Sequence, residues 1–146
     1  MNQEIILKIR IESPTGTVLD ALTKPEHLTR WLAREATMVQ ESPLKIRLGW
    51  PHHAFAITYH ECCSERIEVD WGSGNGVGRE LSIILSAVDN ATLVKLMHRG
   101  FADTDEGREM FLGHIEGWTF YLCNLKTVLE RDFDMREHQP KGSLAY

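Results

Sequence analysis

Residues 103–133, DTDEGREMFLGHIEGWTFYLCNLKTVLERDF, constrain the fold more than any other stretch. They hold no proline and no run of β-branched residues. Phe111, Ile115, Trp118, Leu122, Leu125 and Leu129 recur at alternating spacings of four and three, the apolar stripe of one helical face. Asp103 with Glu106 three residues on reads as an N-cap with a capping box. Asp105 and Glu109 add negative charge where the helix dipole favours it. A helix over 105–131 runs about 40 Å at ~1.5 Å per residue. Such a helix is stable only if its stripe lies along a broad apolar surface, because propensity alone contributes little. The upstream chain has to supply that surface.

That upstream chain reads mainly as strands. Ile5, Leu7, Ile9 and Ile11 alternate with Glu4, Lys8, Arg10 and Glu12, as in a half-buried antiparallel strand. Ser13-Pro14 then predicts a helix start, with serine as N-cap and proline at the first position. Lys24-Pro25 breaks that helix, since the residue before proline avoids the helical region. A second short helix follows to about Leu32. Residues 35–41 form a weak strand candidate. Clearer strands carry Leu44, Ile46, Leu48 and Trp50; then Phe55, Ile57 and Tyr59; then Ile67, Val69 and Trp71. Gly72 to Gly78 holds four glycines in seven residues and is expected to be a mobile loop. Residues 79–88 and 91–99 make a final hairpin, with Thr92, Val94, Leu96 and His98 facing inward.

The expected fold is therefore α+β. An antiparallel sheet of about six to seven strands carries two short helices after its first strand and must be covered by the terminal helix. Gly113 and Gly117 thin that helix one turn apart, with His114 and Tyr121 near the same side, so a space between sheet and helix is expected. At 146 residues the chain has the length of a single domain, large enough to fold without disulfides or metal. The domain is expected over 1–134 and a polar tail over 135–146. A net charge of −5 argues against a basic face for nucleic acid. No segment approaches the ~18 apolar residues of a membrane span, and MNQEIILKIR lacks a signal-peptide core. Three cysteines, two of them adjacent, fit no disulfide framework. A cytoplasmic location with reduced thiols is the expectation.

Four stretches, in order, resemble one family. PTGTVLDALTKPEHLTRWL is similar to its opening, at Pro14, Ala21, Leu22, Thr23, Pro25 and Trp31. SERIEVDW resembles a strand that ends in tryptophan, here Trp71. ATLVKLMHRGF resembles a strand ending His-x-Gly-Phe, at His98, Gly100 and Phe101. GWTFYLCNLKTVLE is similar to the helix signature, at Gly117, Trp118, Leu122, Leu125 and Leu129. The family is the activator of heat-shock chaperone ATPase homologue-like group, in the START, birch-pollen-allergen or SRPBCC superfamily. The resemblance implies a helix-grip fold, a curved sheet wrapped around the C-terminal helix. It also implies a pocket rather than a mechanism.

The chemistry-bearing residues point the same way. Seven histidines show no ligand spacing of the HExxH or paired CxxC kind, so no metal is expected. The glycines at 72–78 lack the lysine of a phosphate loop, and no cation or helix start stands beside Cys62 and Cys63 to activate a thiol. Neither a cofactor nor a catalytic residue is expected, and the balance is against an enzyme. His98 and His114 either look into the space and orient a ligand, or bond backbone and water. Tyr59, Trp71 and Tyr121 are core residues that can also be pocket walls. The expected ligand-binding set is Tyr59, Trp71, His98, His114, Gly117, Trp118 and Tyr121, with the glycine-rich loop as a gate. The ligand is expected to be a small hydrophobic or amphipathic molecule, bound by a monomer or homodimer without membrane or nucleic-acid partners. One alternative is a co-chaperone-like module that acts on a heat-shock chaperone ATPase. A second is a cyclase- or hydrolase-like enzyme of the same superfamily, in which His98, His114 or Glu61 would converge.

Overall fold

Alternating apolar and polar residues turn most of the chain into strands. In the computed structural model, which describes residues 3–72 and 78–136, these are β1 (Ile5–Ile11), β2 (Glu35–Gln40), β3 (Lys45–Gly49), β4 (Ala54–Cys62), β5 (Arg66–Asp70), β6 (Glu80–Val88) and β7 (Ala91–Arg99). They form one antiparallel sheet in the order β1-β7-β6-β5-β4-β3-β2. Register follows the period-two pattern. Ile5, Leu7, Ile9 and Ile11 stand opposite His98, Leu96, Val94 and Thr92, so the inward residues of the two strands share one face. Pairing of β4 with β5 shifts between Tyr59 and Glu61, where β4 carries one extra residue. The extra residue, His60, and Glu61 after it are both exposed.

Helices α1 (Thr15–Thr23) and α2 (Pro25–Trp31) follow β1, separated at Lys24, whose backbone is extended. Ser13 is not the N-cap of α1. That position falls on Pro14, whose carbonyl accepts from both Thr17 and Val18 N–H at 3.1 Å. Ser13 is buried at the strand end, where its carbonyl accepts a hydrogen bond from Thr92 Oγ1 (2.7 Å).

The long helix, α3, spans Asp105–Arg131. Its N-cap is Thr104 and not Asp103: the Thr104 hydroxyl accepts from Gly107 N–H at 3.0 Å. Close approach of the preceding chain explains the shift. A Cβ at Gly107 would lie 1.8 Å from the Ala102 carbonyl oxygen, so the entering chain folds tightly over the first turn. Trp118, Tyr121, Leu122, Leu125 and Val128 are the buried apolar residues of α3, while Phe111, Ile115 and Leu129 are half-buried. They meet Leu28, Trp31 and Leu32 from α2 and its end, and the inward residues of the sheet.

Polar clasps hold the C-terminal half of α3 in place. Asn124 is fully buried; its amide donates to the Trp31 carbonyl and to Asp134, and its oxygen accepts from Met135 N–H. Lys126 donates to the Arg10 carbonyl and to Glu130, and Glu130 accepts from Glu12 N–H at 2.7 Å, tying the helix to β1. Met135 and Arg136, assigned to the tail on sequence, take part in this scheme. Arg136 is 7% exposed and donates to the carbonyls of Ala33 (2.7 Å) and Thr29 (2.6 Å) and to Asp134. Burial works against the Asp134 carboxylate, but hydrogen bonds from Arg136 and Asn124 outweigh it and hold its pKa at about 2. The rest of the expected tail, 137–146, lies outside the described residues.

A chain ending at residue 134 should therefore be less stable than one ending at 136. Loss of the buried guanidinium hydrogen bonds should cost about 1.5–3 kcal/mol, read by urea unfolding of the two chains. Equal stabilities would show that the clasp contributes nothing.

Candidate functional site

Two rows on α3 face the same way. Glu109, Gly113, Gly117 and Tyr121 recur every fourth residue, and so do Met110, His114 and Trp118. Opposite stand Trp50, His53 and Phe55 from the β3–β4 hairpin, Trp71 at the end of β5, and Leu32 after α2. Together they line a cavity of about 280 Å³, mostly apolar. The two glycines leave the helix side of it open: an added Cβ at Gly113 or Gly117 would meet nothing within 4 Å.

The sheet side is aromatic. The rings of Trp50, His53 and Phe55 lie nearly parallel, with Trp50 5.0 Å from His53 at 11° and 5.4 Å from Phe55 at 20°. Trp71 stands edge-on to them, at 62° to Trp50 and 75° to Phe55. Trp118 packs against Trp71 with ring centroids 5.0 Å apart. Trp50 Nε1–H donates to the Leu32 carbonyl at 3.1 Å, which fixes the hairpin's tip against the end of α2.

His98 and His114 have different surroundings. His98 is fully buried at the inward face of β7. Its Nδ1 accepts from Trp118 Nε1–H at 3.0 Å, and its Nε2 lies 2.6 Å from the Gly78 carbonyl, so the partners assign the neutral tautomer with hydrogen on Nε2. Burial pushes its pKa down to about 4; the Gly78 carbonyl opposes this and neighbouring His114 adds to it. His114 lines the cavity and touches the rings of His98 and Phe101 edge-on. Its Nδ1 lies 2.7 Å from the Met110 carbonyl one turn back. Burial lowers its pKa too, against the Met110 carbonyl, with His53 contributing further. His114 is then neutral near pH 7, with Nδ1–H donating and Nε2 left as an acceptor. That Nε2 makes no hydrogen bond among the described residues.

Of the residues expected at the site, Trp71, His114, Gly117, Trp118 and Tyr121 line the cavity. Tyr59 and His98 do not. Tyr59 is buried deeper in the core, where its hydroxyl donates to the Leu22 carbonyl at 2.7 Å. His98 stands behind Trp118. Glu61 is exposed on β4 and does not reach the cavity. Gly113, expected with Gly117 to open the space, lines it too; Leu32, Trp50, His53, Phe55, Glu109 and Met110 complete the lining without having been expected there. Trp50 and Phe55 carried a signal, since each continues the inward alternation of its strand. Glu109 and Met110 sit one turn before Gly113 and His114. His53 lies in a turn and carried none. The expected gate falls largely on residues 73–77, outside the described residues; Gly78 packs with Cβ space only 2.7 Å from the Phe101 ring. All three cysteines are free and exposed. Among the described residues no cluster of three metal-binding side chains forms, and no helix is long and apolar enough to cross a membrane.

Residues 12–130 match the family described as Activator of Hsp90 ATPase homolog 1-like protein. The chain finds no match among curated proteins. Solved structures share its fold. A protein from Staphylococcus saprophyticus is 24% identical with a TM-score of 0.76, over 92% of this chain and 96% of that one. The Aha1 dimer from Colwellia psychrerythraea is 21% identical with a TM-score of 0.72, over 88% and 97%. CalU16 from Micromonospora echinospora is 21% identical with a TM-score of 0.72, over 90% and 78%. At this level of identity the likeness speaks for the helix-grip fold.

The buried His98 makes stability depend on pH. Folded, it takes up a proton only near pH 4; unfolded, near the ordinary value of 6.5. Between these values the unfolded chain holds the extra proton, so this contribution is whole above about pH 6.5 and is lost as the pH falls towards 4. From pH 7 to pH 5 the loss should be roughly 2 kcal/mol, measured by urea unfolding. His98→Gln should flatten that slope. A parent protein equally stable at both pH values would contradict the assignment.

Proposed function

The chain belongs to the Activator of Hsp90 ATPase homolog 1-like family, and on that footing we propose that it binds a small hydrophobic or amphipathic molecule in the cavity between α3 and the sheet. The carrying observation is the contrast among the glycines of α3. Gly107 is sterically required, because any side chain would strike the Ala102 carbonyl. Gly113 and Gly117 face open space and are required by nothing in the fold. Each nonetheless costs its helix about 0.5–1 kcal/mol relative to alanine. What they supply is volume, in a place already walled by Trp50, Phe55, Trp71, Trp118 and Tyr121. A stability cost at positions that open a cavity is the pattern expected where a binding site competes with stability.

Polar groups are few and convergent, as orienting groups in an apolar site tend to be. His114 offers an acceptor nitrogen and Glu109 a carboxylate, while His98 holds the Trp118 wall from behind. Binding needs no cofactor on this reading.

Two substitutions at one position separate the glycine's roles. Gly117→Ala should raise stability by about 0.5–1 kcal/mol, since the methyl meets no neighbour. Gly117→Leu should fill the cavity. Neutral aromatics such as indole, naphthalene and biphenyl should raise the melting temperature of the parent with concentration, and that shift should vanish in the folded Leu variant. No shift with any of them in the parent, or an undiminished shift in Gly117→Leu, would overturn the reading.

A further inference from the structure

The charge pattern of the cavity selects among its ligands. Resting on the reading of the cavity as a binding site, we propose that the preferred ligand is an organic cation: an amine on an aromatic or apolar body, whose ammonium sits at Glu109 while the body lies among the Trp and Phe rings.

Among the described residues no lysine or arginine lines the cavity, and Glu109 is the one carboxylate that does. Glu109 is exposed at the helix side and has no ion pair or hydrogen bond among the described residues. Arg108, next to it, is turned to Asp103 and Asp105 instead. Glu130 is held by Lys126. Two cations act on Tyr121, Arg34 and Arg136, but they line a separate polar recess with Asp132 and Asp134, and Arg136 is bonded to Asp134. Among the described residues, the cavity therefore presents a carboxylate without a counter-ion.

The walls favour the same charge. Faces of Trp and Phe rings carry the negative part of the aromatic quadrupole and attract cations, most strongly where water is excluded. Trp71 packs edge-on against the parallel Trp50 and Phe55 rings, so the wall that a bound group meets is aromatic. His114 contributes an acceptor nitrogen and no donor on its free side, which suits an N–H of an amine. A carboxylate ligand would face Glu109, the ring faces and a lone pair, with no cation to meet it. The discrimination is thus by repulsion as well as by attraction.

Three probes sharing one ring system test this: tryptamine as cation, 3-methylindole as neutral body and indole-3-propionate as anion. Titrations run at pH 7.5 in low salt, by calorimetry. Tryptamine should bind roughly tenfold or more tighter than indole-3-propionate, the combined effect of a rim ion pair and ring faces. The preference should shrink as salt is raised. Glu109→Gln should bring the ratio to within about threefold, with the ion pair removed and the ring faces left. Glu106→Gln removes the same charge one turn away, outside the lining, and should keep the parent's ratio. If 3-methylindole binds but tryptamine and indole-3-propionate bind equally, the cation proposal is overturned and the cavity reading stands. It is likewise overturned if Glu106→Gln lowers the ratio as much as Glu109→Gln, since the protein's net charge would then be the cause. If no probe binds, both fall.

Discussion

The Trp118 indole can lie buried between helix and sheet because His98 accepts its N–H. A buried indole nitrogen without a partner would cost on the order of 1–3 kcal/mol. The imidazole in turn can be buried because the Gly78 carbonyl receives its other nitrogen's hydrogen. Three groups from β7, α3 and the chain before β6 thereby settle one tautomer, one rotamer and one helix position. The bond also stands at a division of α3. Beyond Trp118 the helix is packed and clasped, by Leu122, Leu125 and Val128 on its apolar side and by Asn124, Lys126 and Glu130 on its polar ones. Before it, the helix runs past the aromatic tip of the β3–β4 hairpin at a distance that leaves space.

That division explains how a cavity can exist in a small domain without undoing it. Close packing is the normal state of a protein interior, and an unfilled apolar volume forfeits contacts on every wall. Here the loss falls beside the N-terminal half of α3, away from the Asn124 and Lys126 clasps. The walls keep one another in place through ring contacts: Trp50 against Phe55 and His53, Trp71 against all of Trp50, Phe55 and Trp118. Stiff aromatic walls preserve a volume that flexible side chains would collapse into.

Much of the fold was legible in the sequence, because strands with one buried face alternate strictly and Lys24-Pro25 marks its own break. β2 was faint for a physical reason: it is an edge strand exposed along nearly its whole length, so neither face selects apolar residues. The helix stripe was right in extent and slightly wrong in rotation. Tyr121, Asn124 and Val128 are buried while Phe111 and Leu129 are only half so, because the surface they meet is a curved sheet plus the end of α2, not a straight seam. Caps were misplaced by one residue at Asp103 and Ser13: Thr104 is, like aspartate, a favoured cap residue, and at α1 the position falls on Pro14, which makes no side-chain cap bond, while Ser13 is buried at the strand end. His98 was legible as inward-facing, but its role depends on an indole twenty residues away. Trp50, His53 and Phe55 belong to the cavity through the approach of a hairpin to a helix end, which no local pattern encodes.

The core and the cavity draw mainly on different stretches of α3. Residues 109, 110, 113 and 117 line the cavity, and His114 lines it while also packing on His98 and Phe101; 122, 124, 125 and 128 touch the core and the clasp. Changes in two such groups, separated by more than a turn and sharing few partners, should combine nearly additively in their effect on stability. Trp118, Tyr121 and His114 are the exceptions, because each walls the cavity and also packs on core residues. Altering the size or charge of the space is therefore cheap at Glu109, Gly113 and Gly117 and costly at Trp118. On the proposed reading, a helix built in this way could change its ligand through residues 109–117 while the core contacts and clasps of its C-terminal half stay as they are.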